Sequence, residues 1–245
     1  MFLVLGYPNS RMEAGVLDLE LIRLGLSEEP VEVCLLDLGR LHDLESIAAR
    51  FLTAWEQAEY AELRHPLRRR EWLGARVCLK LMVMRQGRVG DPLRCAVVKD
   101  PRGRPRLVFT PELAAGVASD CSLSHKGRFT CAVTSSATGS RVGIDIEEVS
   151  PRLLRLARAF AHDRDVLLGS RSEEERLTIL WALKEACSKV VGRGMAMELR
   201  EVTCEETAPG RHRVQMGRLE LSGWHTLHEG YVVALCLGMD QELER

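Results

Sequence analysis

Hydrophobic residues along this chain follow two patterns that predict different elements. Short apolar runs rich in β-branched residues predict strands, and longer segments with apolar residues every three or four positions predict helices. The predicted strands are 2–6, 31–37, 94–99, 105–109, 129–134, 142–147, 198–204, 212–221 and 231–237. The predicted helices are 43–62, 67–86, 151–168 and 173–191. Because strands and helices do not alternate regularly, the order favours an α+β fold.

A cluster of small residues divides the chain. The segment SSATGS at 135–140 lies between two predicted strands and is typical of a turn or linker. It predicts an N-terminal subdomain over 1–141 and a C-terminal subdomain over 142–245. Each side holds strands and two long helices, so the halves could be structural copies, although no repeat is visible in the sequence.

Composition narrows the class of protein. The chain has 245 residues, of which 46% are hydrophobic and 28% charged, which indicates a globular protein and not a disordered one. No apolar stretch approaches the roughly 20 residues of a membrane span, and the first residues are interpreted as a strand, not a signal peptide. The eight cysteines lack zinc-ligand spacing and predict free buried thiols. We therefore expect a cytoplasmic protein with no membrane contact.

A local charge imbalance indicates an anionic partner. The formal net charge is −1, but residues 64–106 contain 13 basic and 3 acidic side chains. A solvated basic helix face is an equally good reading of this charge alone. Nucleic acid is an alternative, but the aromatic residues of a base-stacking platform are missing. A polyphosphate ligand fits at least as well.

The segment Val142-Gly-Ile-Asp-Ile-Glu147 places two carboxylates in an apolar strand. Side chains alternate along a strand, so Asp145 and Glu147 point the same way and the apolar residues point the other way. Two carboxylates on one face suit Mg²⁺, which prefers oxygen ligands and substrate phosphates. The alternative is a solvated acidic face on an edge strand.

Helix 173–191 carries a second candidate group. Trp181, Glu185 and Lys189 are spaced four residues apart and therefore lie on one helix face. Glu185 and Lys189 either form an ordinary surface pair or belong to a partly buried face below the tryptophan. A buried carboxylate needs a partner, which a metal ion or the lysine would provide.

Two polar turns complete the candidates. Ser124 and His125 lie in a predicted turn at 122–128, and Arg104 lies in the turn Arg-Gly-Arg-Pro at 102–105. Such turns can offer backbone N–H groups and cations to a phosphate. A structural histidine and solvated arginines are the alternatives.

Taken in order, these segments resemble a known family. SLSHKGR, VGIDIE and WALKEACSKVVGRG, with 40 residues between Asp145 and Glu185, resemble the 4′-phosphopantetheinyl transferases. The resemblance covers roughly residues 55–195. The length is similar to the surfactin-synthetase-activating type. This resemblance implies two similar α+β subdomains in a pseudo-twofold monomer, with the active site at their interface.

The resemblance also implies a reaction. Members move the phosphopantetheine arm of coenzyme A to a serine of an acyl or peptidyl carrier protein, in fatty acid, polyketide or nonribosomal peptide biosynthesis, and release 3′,5′-ADP. By similarity, Asp145, Glu147 and Glu185 hold Mg²⁺, and Glu185 is also the base for the carrier serine. Lys189 contacts the phosphates.

The remaining coenzyme A contacts follow by the same similarity. Ser124 and His125 contact the 3′-phosphate or ribose, Arg104 the adenylate end, and Arg70 and Arg76 are weaker candidates for the same anion. Arg104 stands where the family usually has lysine, which keeps the charge but alters the reach. The expected partners are coenzyme A and an acidic carrier protein, with no nucleic acid. The alternative function is a repurposed homologue that binds carrier proteins or nucleotides without catalysis.

Overall fold

The computed structural model describes residues 4–5, 19–24, 31–101, 103–109, 119–135, 139–192 and 197–239. Over these ranges the chain forms two antiparallel sheets with helices on their outer faces, which confirms the α+β class.

The first sheet is built from β1 (Val4–Leu5), β2 (Leu19–Leu24), β3 (Val31–Asp37), β4 (Cys95–Lys99), β5 (Pro105–Phe109), β6 (Ser119–Lys126) and β7 (Phe129–Thr134). Its strand order is β1-β2-β3-β7-β6-β5-β4. The helices α1 (Leu44–Phe51), α2 (Ala54–Glu62) and α3 (Pro66–Arg85) connect β3 to β4. Short 3-10 turns at Leu38–Arg40 and Pro92–Arg94 flank this helical segment.

The second sheet is built from β8 (Ser140–Glu148), β9 (Val202–Ala208), β10 (Arg211–Met216), β11 (Leu219–His228) and β12 (Tyr231–Met239), in the order β8-β12-β11-β10-β9. A 3-10 turn at Pro151–Arg155, α4 (Ala157–Phe160), α5 (Glu173–Val191) and a second 3-10 turn at Leu199–Glu201 connect β8 to β9.

The five strands of the second sheet repeat the arrangement of β3 to β7. In both sheets a first strand is followed by helices and then by four antiparallel strands, and the last strand pairs with the first. Strands β1 and β2 extend only the first sheet. The structure thus contains two similar subdomains in one chain, as the resemblance implied.

A buried ion pair occurs at the same place in each subdomain. Lys80 on α3 donates to Glu56 at 2.6 Å and to the Phe51 carbonyl at 2.7 Å. Lys184 on α5 donates to Asp165 at 2.8 Å and to the Phe160 carbonyl at 2.6 Å.

The carboxylates of these two pairs share a further role. Each accepts a backbone N–H from the strand that follows the long helix, Val97 on β4 for Glu56 and Cys204 on β9 for Asp165. The two subdomains therefore share these buried contacts as well as their strand order.

The inner faces of the two sheets pack against each other. Their shared core consists of Val33, Leu35, Phe129, Cys131, Val133, Val142, Ile144, Ile146, Trp224, Tyr231, Val233 and Leu235. Side chains of β6 bond to the free edge of β8: the Ile144 N–H donates to Ser122 at 3.0 Å, and the Val142 N–H donates to Asp120 at 2.8 Å. The first subdomain therefore satisfies the open edge of the second sheet.

Several element predictions were wrong. Segment 43–62 is two helices, because Thr53 caps α2 through a capping box with Glu56 and so ends α1 before it. Segment 151–168 is helical only to Phe160, since Asp165 turns inward to meet Lys184. The strand predicted at 198–204 begins at Val202, and 212–221 is parts of two strands.

Two strands were not predicted. Strand β2 was missed, and β6 includes Ser124 and His125, which were assigned to a turn. Most of the first predicted strand, part of SSATGS and Arg102 lie outside the described residues.

All eight cysteines are buried free thiols, as the sequence predicted. Burial raises the pKa of Cys95 to about 11 and that of Cys121 to about 12, so these thiols stay protonated at neutral pH.

A buried histidine pair on the second sheet predicts acid sensitivity. The ring nitrogens of His212 and His225 lie 2.6 Å apart, and burial lowers their pKa values to about 3 and about 4. Because the pKa is depressed in the folded state, the stabilisation is complete above the ordinary value of 6.5 and is lost as pH falls below it.

We expect the free energy of unfolding to fall by about 1.4 kcal/mol per pH unit for each histidine between pH 6 and the folded pKa. Urea unfolding of the native protein and of His212→Gln at pH 7.0 and pH 5.0 measures this. The native protein should lose more stability than the variant over that interval. Equal losses would mean that the pair does not titrate on unfolding.

Candidate active site

Strand β8 carries the two carboxylates at the centre of the site. Asp145 and Glu147 lie on the face opposite the core between the sheets, and both are largely buried. The alternation of side chains along the strand places them there, as predicted from the sequence.

The two oxygens of Asp145 have different surroundings. Oδ1 accepts hydrogen bonds from Ser124 Oγ at 2.7 Å and from Lys189 Nζ at 2.8 Å. Oδ2 is buried and has no hydrogen-bond partner among the described residues. A buried carboxylate oxygen without a partner is costly, so this atom is a good ligand position for a cation.

Helix α5 is held directly over β8 at Gly143. A Cβ at this position would lie 2.0 Å from the Ala186 carbonyl oxygen, so only glycine allows the close approach. The contact places Glu185 and Lys189 beside Asp145. Lys189 Nζ also donates to the Ile144 carbonyl at 2.7 Å, which orients the ammonium along β8.

The third carboxylate, Glu185, is close enough to Asp145 to be affected by its charge. Burial raises the pKa of the Glu185 carboxyl, the charges of Asp145 and Glu147 raise it further, and Lys189 lowers it. The ligand oxygens of Asp145, Glu147 and Glu185 do not all lie within 4.8 Å of one another, but the three carboxylates interact through their charges. Together with the buried Asp145 oxygen that has no partner among the described residues, they offer the oxygen donors that a hard divalent cation such as Mg²⁺ prefers. The residues present therefore fit the metal that the resemblance implies.

His125 lies on β6 between two charged side chains of α3. Its Nδ1 is 3.5 Å from Glu71, and its Nε2 is 3.2 Å from Arg68 Nη1. Burial lowers the pKa of this imidazole, and the positive charge of Arg68 adds to that effect. The ring is therefore held where the start of α3 meets β6.

Three charged residues near the site were missed as site residues. These are Arg68, Glu71 and Lys126, of which Lys126 pairs with Glu147 at 2.6 Å. For Arg68 and Glu71 the only signal was the basic block, in which Glu71 is one of three acids, whereas Lys126 belongs to the polar segment 122–128. The positions of Arg68 and Glu71 depend on how α3 packs on the sheet, which the sequence pattern does not reveal.

The three predicted arginines are placed differently from one another. The Arg104 guanidinium is buried and bonded to protein groups, and Arg104 is itself one of the residues that line a cavity. Arg76 is buried against Trp72, with its guanidinium carbon 3.2 Å from the ring centroid, and it reaches Glu59 at 3.4 Å. Arg70 is partly exposed on the first turns of α3. Of the three, only Arg70 has its side chain accessible without breaking buried contacts.

A cavity of about 160 Å³ lies between the subdomains and next to Lys189. Its lining includes Gly103, Pro105, Ser122, Leu123, Lys189 and Gly192. The β4–β5 turn, strand β6 and the end of α5 therefore meet around one space.

The equivalent positions in the first subdomain hold neither the carboxylates nor the lysine of the candidate site. The strand registers align Phe129 with Tyr231, so Cys34 and Leu36 occupy the positions of Asp145 and Glu147. The buried lysines align α3 with α5, so Leu81 and Arg85 occupy the positions of Glu185 and Lys189. In the described part of the chain, only the second subdomain has the carboxylate cluster.

The fold and site define a class of protein: two related α+β subdomains with one cluster of carboxylates and a lysine at their interface. Residues 141–236 match the 4′-phosphopantetheinyl transferase superfamily. The matched segment is most of the second subdomain, and the structure holds two similar subdomains in one chain.

Two relatives are similar in sequence. 4′-Phosphopantetheinyl transferase psf-1 of Bacillus pumilus is 30% identical over 122 residues, which is 47% of this chain and 51% of the relative. The protein slr0495 of Synechocystis, named provisionally for the same activity, is 26% identical over 161 residues and 63% of either chain. The matched segment thus spans about half to two thirds of these relatives.

Two solved structures show weaker similarity. Holo-[acyl-carrier-protein] synthase of Helicobacter pylori, in complex with coenzyme A, is 18% identical with a TM-score of 0.33, over 39% of this chain and 96% of that one. The Thermotoga maritima synthase is 23% identical with a TM-score of 0.36, over 56% of this chain and 76% of that one.

Within the described residues, no helix is both long enough and apolar enough to cross a bilayer.

Proposed function

We propose that this protein transfers the 4′-phosphopantetheine arm of coenzyme A to a serine of an apo carrier protein and releases 3′,5′-ADP. The observation that carries the proposal is the cluster of Asp145, Glu147 and Glu185 beside Lys189, with one buried Asp145 oxygen unpartnered in the described structure. The match of residues 141–236 to the superfamily supports the same reaction.

The proposed reaction is a displacement at phosphorus. The serine oxygen forms a bond to the phosphorus of the phosphopantetheine arm, and the bond from that phosphorus to the pyrophosphate bridging oxygen breaks. The electron pair leaves with 3′,5′-ADP. Glu185 accepts the serine proton, directly or through one water molecule.

The other residues position the phosphates. Asp145, Glu147 and Glu185 would hold Mg²⁺, which when bound neutralises charge that develops on the leaving phosphate. Lys189 contributes a point charge next to the same phosphates. The carboxylates and the lysine come from one strand and one helix, so their relative positions are fixed before substrate binds.

The residues that we propose to contact coenzyme A are those predicted from the sequence. Ser124 and His125 lie on β6 and Arg70 is partly exposed on α3, and Arg68 beside His125 provides a positive charge for a phosphate. The Arg76 guanidinium is stacked on Trp72, so Arg76 would act on coenzyme A through the electrostatic potential of its positive charge and not through a direct contact. The cavity beside Lys189 supports an adenylate position near Arg104.

An acidic carrier protein is the proposed macromolecular partner. Just after β8, the exposed side chains alternate between arginine and leucine: Arg152, Leu154, Arg155, Leu156 and Arg158. A surface with both positive and apolar groups suits an acidic partner helix. This segment follows directly on the strand that carries the site.

The subdomain boundary at 141/142, the monomeric state and the cytoplasmic location stay predictions. Strand β7 ends at Thr134 and β8 starts at Ser140, so the predicted boundary lies two residues inside β8. The rival function is a repurposed homologue that binds carrier proteins or nucleotides without transfer. Loss of a metal carboxylate or of the lysine would favour that rival, and this chain retains all four.

The proposed function is tested by incubating the protein with coenzyme A, Mg²⁺ and several apo carrier proteins. We expect the phosphopantetheine mass increase on one or more carriers by mass spectrometry, and none after exhaustive chelation. Asp145→Ala should abolish transfer, because it removes the unpartnered oxygen and the partner of Lys189. Carrier binding without modification across the whole panel would favour the repurposed homologue.

His125→Ala should weaken coenzyme A binding about ten- to hundredfold, since a charge-assisted hydrogen bond is worth roughly 1.5–3 kcal/mol. Isothermal titration with coenzyme A and with dephospho-coenzyme A, which lacks the 3′-phosphate, measures this. The native protein should bind dephospho-coenzyme A more weakly, and the variant should lose little more. If the loss of affinity from removing the 3′-phosphate and the loss from His125→Ala simply add, His125 does not contact the 3′-phosphate.

A further inference from the structure

Arg104 makes an unusually complete set of contacts between the subdomains. It lies in the turn between β4 and β5, and its side chain is 6% exposed. Its Nε donates to Asp120 at 2.9 Å, and its Nη2 donates to Asp120 and, at 3.0 Å, to the Val142 carbonyl. Its Nη1 donates to the Lys189 carbonyl and, at 3.0 Å, to the Val190 carbonyl. All three guanidinium nitrogens are therefore bonded to protein oxygens.

Asp120 extends the connection to the strand that carries the site. Besides Arg104, its carboxylate accepts the Val142 N–H at 2.8 Å, so both backbone groups of Val142 are bonded to this pair. Asp120 is 4% exposed on its side chain. The pair therefore holds the edge of β8 three residues before Asp145.

The contacts with α5 lie at the end of that helix. Lys189 and Val190 belong to the last turn, where carbonyl groups lack partners within the helix and a cation is favourable. Arg104 supplies these partners from the other subdomain. One guanidinium thereby fixes the end of α5 relative to the start of β8, and Lys189 Nζ reaches Asp145 across that junction.

We propose that Arg104, together with Asp120, is a positioning residue: it sets the distance between Lys189 and Asp145 and does not bind the nucleotide through its guanidinium. The inference rests on the proposed function, and it revises the adenylate contact expected for this side chain. It also explains why arginine replaces the family's usual lysine. A planar fork with five donors reaches a carboxylate on one side and carbonyls of two elements on the other, whereas an ammonium has three donors at one point.

Hydrogen–deuterium exchange tests this positioning role independently of activity. In Arg104→Gln, Arg104→Lys and Asp120→Asn, we expect faster exchange at the amides of 142–144 and 189–192. Arg106→Gln is the matched control, because Arg106 bonds to the same Asp120 at 3.2 Å but is 36% exposed. The control should exchange as the native protein does. Unchanged exchange in all three test variants would overturn the proposal.

Kinetics and nucleotide binding separate positioning from direct contact. A misplaced Lys189 should lower kcat about 10- to 100-fold in Arg104→Lys and Arg104→Gln. The dissociation constant for 3′,5′-ADP, measured by titration calorimetry, should change less than about threefold. A tenfold weaker 3′,5′-ADP with kcat retained would show direct nucleotide contact and overturn the proposal.

Failure of the proposed function gives a different result. If the native protein modifies no carrier, the transferase proposal fails, while the exchange data still decide whether Arg104 holds β8 and α5 together. If exchange rises only in the Arg104 and Asp120 variants but their kcat is unchanged, the pair is structural and the positioning role is wrong.

Discussion

Glu185→Gln is expected to lower the turnover number for carrier modification by ~10²–10⁴-fold, the usual contribution of proton transfer in the transition state. Glutamine keeps the size of the side chain and offers an oxygen, but it cannot accept the serine proton. Rates of carrier modification at saturating coenzyme A, followed by mass spectrometry, measure this effect. The dissociation constant for 3′,5′-ADP should change much less than turnover.

The matched control for this variant is Glu175→Gln on the same helix. Glu175 is near the start of α5, where its side chain pairs with Arg171 at 3.4 Å, away from the carboxylate cluster. Glu175→Gln should keep native turnover. If Glu185→Gln instead raised only the Michaelis constant for coenzyme A, Glu185 would be a ligand and not the base.

Lys184→Met is expected to cost about 3–5 kcal/mol of the free energy of unfolding, because it leaves Asp165 buried without its counter-ion. Both side chains are fully buried, so the Asp165 carboxylate would be left away from bulk solvent with an uncompensated charge. The midpoint of urea unfolding, with its slope unchanged, measures the loss. The neighbouring Glu185 lies at the candidate site, so adjacent positions of α5 hold a structural lysine and the carboxylate that we propose as the base.

The stability losses of two further variants on long helices provide the comparison for Lys184→Met. Lys80→Met breaks the equivalent pair with Glu56 and should cost a similar amount. Arg176→Met removes an exposed pair with Glu173 and should cost less than about 1 kcal/mol. A loss in Lys184→Met no larger than that in Arg176→Met would contradict the importance of the buried pair.

Local signals in the sequence were sufficient for several elements. Helix α5 has the predicted bounds, because Ser172 caps its first turn and Gly192 ends it in the left-handed conformation. The shared face of Asp145 and Glu147 follows from the alternation of side chains in a strand. These features depend on residues only a few positions apart.

The sequence was less informative where a polar side chain is compatible with two different elements, such as a helix interior and a helix cap, or a turn and a strand. Thr53 sits in the middle of an apolar-periodic segment and nevertheless starts a new helix, because its hydroxyl and Glu56 form a capping box. The polar run at 122–126 looks like a turn but forms β6, whose serines bond to β8 across the subdomain interface. The stabilising partners of that strand are far away in the sequence.

By itself, then, the sequence determined the α+β class, the carboxylates of β8, the helix with Glu185 and Lys189, and the family resemblance. Only the tertiary structure decided that Arg68 and Glu71 flank His125, and that Arg104 is buried between subdomains. It also revealed two copies of one fold in which a single copy keeps the carboxylates. The physical reason is that periodicity fixes which face a side chain occupies, whereas its partner is whatever group the packing of distant elements brings within hydrogen-bond distance.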